Sequence, residues 1–85
     1  MATPAAHKAS AETLFTRIGA AGLTPTINAD YLVATAHAHL ATALGTGAHY
    51  TAADSILSDL PTETNWRLRE QRAQEAIVRG ILADR

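Results

Sequence analysis

The chain predicts an all-α fold, a compact bundle of four helices, on three observations. Almost no segment alternates apolar and polar residues with period two, whereas several repeat at three to four residues. Gly22, Gly45-Thr-Gly47 and Pro61 punctuate these segments at helix-length intervals. From Tyr31 to Ala53 there is no Asp, Glu, Lys or Arg. Water-facing helix surface normally carries charge, so this run marks an enclosed element or a subunit interface. Its helix is expected at the centre, and the third helix is expected to be short.

The first helix opens at Thr3-Pro4, a capping residue followed by Pro at the first helical position, with Ser10 as an alternative start. Ala11, Leu14, Phe15 and Ile18 form its apolar stripe. Gly22 fits the left-handed stop, and Thr24-Pro25-Thr26-Ile27 reads as an extended connector.

Asn28 suits the cap of the second helix, with Asp30 in its first turn complementing the dipole. At 100° per residue, Leu32, Val33, Ala36, Leu40, Ala43 and Leu44 share one broad face. The reverse face, Ala34, Ala38 and Ala41 with Tyr31, Thr35 and Thr42, is small and nearly apolar. It would let another helix approach closely. Gly45-Thr-Gly47 ends this helix.

Thr51-Ala-Ala-Asp54 has capping-box spacing and would open the third helix, carrying Ile56, Leu57 and Leu60 to a stop at Pro61. Thr62 or Thr64 would cap the fourth, running to about Ala83. On that helix Trp66, Ala73, Ile77 and Ile81 share one face, and Leu68, Val78 and Leu82 a second. One domain spanning 1–85 follows, with 1–6 and 84–85 expected to fray.

The core inventory is modest: nine Leu, five Ile, two Val, one Phe and one Trp, with Ala supplying much of the rest. No cysteine is present, so neither a disulfide nor a thiolate metal site supplements it. Self-association is a common remedy at this size, and a homodimer is the expectation. No signal-peptide pattern begins the chain, and Thr, His and Gly interrupt the charge-free run, so no membrane span is expected and the location is expected to be cytoplasmic. Nineteen Ala and six Arg against one Lys suggest a GC-rich genome of actinobacterial or phage type.

Charge is unevenly placed. The net charge is −1, yet five of the six arginines lie at or after position 67. Arg69, Arg72 and Arg79 line up along the fourth helix near Arg67. The stripe suits phosphates, and a short helix, a turn and a longer Arg-bearing helix have the order of a helix-turn-helix unit. Against DNA stand the slightly acidic charge, Pro61 in the turn, and bulky Leu57 near a position that usually needs a small residue. The plainer expectation is a solvated face with ion pairs Glu63–Arg67 and Glu75–Arg79 at the favourable spacing.

His37 and His39, two apart on a helix, point to nearly opposite sides and cannot grip one metal. His49 is expected in a loop, and His7 near a mobile end. No metal and no cofactor are expected. Asp54-Ser55-Ile56 resembles the Asp-Ser-Leu or Asp-Ser-Ile site at which acyl and peptidyl carrier proteins receive phosphopantetheine. The resemblance covers three residues, with Thr51-Ala-Ala where a Gly is expected and Pro61 ending the helix after two turns. No phosphate loop, nucleophile elbow or His-Glu-x-x-His occurs, so no catalytic residue is assigned. The expected function is a non-catalytic interaction module that self-associates and binds a protein partner. Candidate contacts are Ala34, Ala38 and Ala41, and Leu68, Val78 and Leu82. The alternative is a DNA-binding regulator using Arg67, Arg69, Arg72 and Arg79.

Overall fold

The computed structural model describes residues 2–21 and 27–83 and is an all-α bundle. Its helices are α1 (Pro4–Ala21), α2 (Ile27–Ala41), α3 (Ala48–Asp59) and α4 (Trp66–Ala83), with a single 3₁₀ turn, Leu60–Thr62, joining α3 to α4. No described helix is long and apolar enough to cross a membrane.

α1 starts as its sequence dictates, with Thr3 Oγ1 accepting from the Ala6 amide at 3.2 Å. Ahead of it, Tyr50 donates its hydroxyl to the Ala2 carbonyl at 2.7 Å. The stop at Gly22 and the connector Thr24-Pro25-Thr26 lie outside the described residues, as do Asp84 and Arg85. α2 already includes Ile27, so Asn28 is a first-turn residue rather than the cap, with Asp30 beside it as expected. α2 ends at Ala41, short of Leu44. Thr42 and Ala43 donate to His39 and Leu40 in tighter i→i−3 bonds, and the Thr42 hydroxyl also takes the His39 carbonyl. Gly45 then turns with φ +82°, where a Cβ would also lie 3.1 Å from the Pro4 ring.

Two expected caps are displaced. α3 begins three residues before Thr51, with Gly47 as cap residue at φ +97°. Thr51 is therefore inside the helix, its hydroxyl on the Gly47 carbonyl at 2.9 Å, and Asp54 is free for another task. α4 is capped by Asn65, not by Thr62 or Thr64: Asn65 Oδ1 accepts from Arg67 and Leu68 amides at 3.0 and 3.4 Å.

α2 is central, packing against α1 on one side and α4 on the other, and α3 lies on α4. The core gathers Val33, Ala36 and Leu40 from α2, Tyr50, Ala53, Ile56 and Leu57 from α3, then Leu60, Ala73 and Ala76. Leu40 and Tyr50 are the largest fully enclosed side chains.

The buried face of α4 is the expected one only in part. Ala73 is enclosed and Ile77 packs against the core as expected, Ala76 and Gly80 are enclosed beside them, and Trp66 and Ile81 are exposed. Small side chains let the α4 backbone come close to α2: a Cβ on Gly80 would sit 3.1 Å from the His39 Cβ and 3.6 Å from Leu40 Cδ2. Tight approach gains more packing here than burying a bulky face held further away. On α1, Ile18 is buried and Leu14 half-buried as the stripe requires, but Phe15 is 67 % exposed. The i, i+4 ion pairs are replaced too. Glu75 meets Arg72 at 4.0 Å, and Glu63 Oε1 accepts from the Asn65 amide.

Gly80→Leu should lower stability by about 1–3 kcal/mol in urea unfolding, because the new side chain must push α4 off α2. Retained stability would mean that the two helices are not in close contact at this point.

Candidate functional site

α1 and α3 make no close backbone approach, and α1 reaches α3 through side chains. Between them lies a cavity of about 510 Å³, lined by Ser10, Thr13, Leu14 and Arg17 of α1, Asp30, Val33 and His37 of α2, Leu57, Leu60, and Arg69 of α4. Its size falls within the range of about 300–1,000 Å³ usual for small-molecule sites.

His37, one of the lining residues, ends a hydrogen-bonded chain of three buried or half-buried groups that lies behind the cavity. His7, only 2 % exposed, donates Nε2–H to Asp54 Oδ1 at 2.8 Å. Its Nδ1 lies 2.7 Å from His37 Nδ1, so one ring donates and the other accepts. Two proton arrangements satisfy the chain. Either a neutral His7 accepts from His37 Nδ1–H, or an imidazolium His7 donates to His37 and pairs with the Asp54 carboxylate. The His7 ring also stands edge-on to Tyr50, with centroids 5.7 Å apart. Burial, reinforced by His7 and opposed by Asp54, holds the His37 pKa down at about 4 from its ordinary 6.5. Burial and then the Asp54 charge push the Tyr50 phenol above its ordinary value.

The lining also carries cationic groups. Arg69 Nη2 and Arg17 Nη2 approach the same Asp30 oxygen at 3.6 and 4.0 Å, attractive but beyond hydrogen-bond reach. Arg69 Nε is buried without a hydrogen-bond partner.

The expected site residues are dispersed. Ala34 is buried, Ala41 half-buried and Ala38 exposed, beside a shallow apolar groove shared with Phe15 and Tyr31. Val78 and Leu82 are exposed with Ile81 on the C-terminal half of α4. Leu68 lies apart, next to Ile56 and Leu60. Of the four arginines, Arg69 turns toward Asp30 and Arg79 donates to His49 Nδ1 at 3.1 Å. Arg72 meets Glu75, and Arg67 stacks over Trp66 at 5.3 Å. They do not form one free stripe.

The histidines were misplaced by sequence reasoning. His7 is a core residue rather than part of a mobile end, and His49 is the second residue of α3 rather than a loop residue. Ser55 is exposed in mid-helix while Asp54 is committed to His7, so the pair does not open a helix as the carrier resemblance would require. The missed signal was positional: His7 precedes Ala11, Leu14 and Ile18 at core spacing, and a polar residue in such a register needs a buried partner.

An unfolded His37 takes up a proton near pH 6.5, whereas the folded chain resists until about pH 4. The unfolded state therefore binds more protons in this window, and stability should fall as pH drops from 6.5 toward 4. The groups facing His37 are His7 from α1 and Asp54 from α3, with Arg69 of α4 on the same cavity. Thermal melts across this range should show a shallower slope for His37→Gln; an unchanged slope would remove His37 as its source. No family model, no curated protein and no solved structure matches the chain.

Proposed function

We propose that the chain is a small non-catalytic interaction module that pairs with a second copy of itself through the α1–α2 groove. The C-terminal face of α4 is then left for a protein partner. The groove carries this reading. Phe15 and Tyr31 are well exposed on either side of Ala34, Ala38 and Thr35, and Glu12 is the single charged residue on the lining. Its small floor invites a helix of the second copy, and large rings at the rim supply apolar area. Val78, Ile81 and Leu82 are a second exposed group, at i, i+3 and i+4 on α4.

Ala38 is exposed, so Ala38→Glu should leave helicity and melting temperature near wild type. It should also weaken the dimer by about tenfold or more, since a carboxylate would be desolvated in the interface. Light scattering on wild type and variant reads this. A wild-type monomer at high concentration, or a folded Ala38→Glu dimer, would sink the proposal. Short DNA duplexes added at low salt test the alternative, for which Arg67 and Arg72 are the exposed arginines. No shift is expected, and a salt-sensitive shift would favour the DNA-binding reading.

A further inference from the structure

The cavity between α1 and α3 has no task in the dimer reading. It opens on the flank of α1 carrying Ala9, Thr13 and Arg17, whereas the groove uses Ala11, Glu12 and Phe15 on the other flank. We propose that this cavity binds a small carboxylate with a compact apolar body, held by Arg69 and Arg17 at its charged end.

Three features converge on that ligand class. The first is an unmet donor. Arg69 has Nε–H buried without an acceptor and Nη2 3.6 Å from Asp30, so its guanidinium makes no hydrogen bond on that edge. Arg69 and Arg17 both line the cavity, their Nη2 atoms lie beyond hydrogen-bond reach of Asp30, and the forked N–H groups of a guanidinium match the two oxygens of a carboxylate. The second is charge. Two guanidiniums share one carboxylate, leaving an excess positive charge on the wall, and His37 adds none because burial keeps it neutral near pH 7. A single negative charge completes the balance. The third is shape. Leu14, Val33, Leu57 and Leu60 supply apolar lining next to the polar groups, which a bare inorganic anion would leave wet.

The lining residue His37 is braced from behind: its Nδ1 is 2.7 Å from His7 Nδ1, and His7 Nε2 is 2.8 Å from Asp54 Oδ1, which limits how far the ring can turn when a ligand enters. Direct His7–His37 contact also argues for an organic ligand rather than a metal, because the two Nδ1 atoms face each other with no room for an ion between them.

The test is titration of the full chain with octanoate, octanol and inorganic phosphate, followed by calorimetry and amide NMR shifts. Octanoate should bind one per chain and shift the amides of Ser10, Val33 and Leu57. Octanol and phosphate should each bind about tenfold more weakly or worse, since each lacks one half of the recognition. Arg69→Gln should weaken octanoate by about tenfold or more. Arg17→Gln, at a side chain 61 % exposed and so harmless to folding, should weaken it by a smaller factor. Equal binding of octanol, shifts confined to Phe15, Tyr31 and Val78, or full affinity in both arginine variants would overturn the proposal. So would the absence of saturable octanoate binding up to about 5 mM. The dimer is read separately by mass, so failure of either proposal leaves the other standing.

Discussion

A carboxylate removed from water must be given a charge or hydrogen bonds in return, and much of this molecule is arranged around the demands of Asp54. Asp54 sits on α3, but its partner comes from α1. These two helices do not pack backbone to backbone. His7 spans the gap, His37 on α2 supports it from the side, and the Tyr50 hydroxyl adds a second strut to Ala2. The gap persists because polar side chains prop it open at fixed length; an apolar pair there would collapse inward. Losing either member of such a buried pair typically costs about 3–5 kcal/mol, a large fraction of the stability of a chain this small.

The opposite strategy governs the other side of the bundle. Between α2 and α4 the α4 side of the contact is small, Ala73, Ala76 and Gly80, and Gly80 lies directly against Ala36, His39 and Leu40. Dispersion across a short distance substitutes for large side-chain burial. Trp66, Val78, Ile81 and Leu82 are left exposed on either side of that small-residue strip. The exposed apolar surface of α4 and its close seam thus lie side by side on one helix.

Fold class, the Thr3-Pro4 start of α1, the central place of α2 and the stop of α3 near Pro61 were all legible in the residues, because each rests on local chemistry. Helix faces were less so. A helical wheel weighs hydrophobicity, whereas α4 was oriented by volume, and Ala and Gly score poorly on the first scale while deciding the second. Local caps also misled where a side chain found a better distant use, as Asp54 did. The cavity and the polar chain behind it draw on positions 17, 30, 37 and 69 and on 7 and 54, which no spacing rule connects. Only the register of His7 with Leu14 and Ile18 hinted that one histidine belonged inside.

The bonds that fix the first turn of α1 join residues 30, 47 and 48 positions apart in the chain. Pro4 likewise rests against Gly45. Contacts of such separation are made only after the intervening chain has been brought into a closed loop, a step that costs entropy before any contact rewards it. The seam between α2 and α4 is equally remote, with Gly80 lying against Ala36 and His39. Both the N-terminal anchor and the central seam therefore close long loops, so the entropic cost of this fold falls on a few distant contacts rather than on its helices.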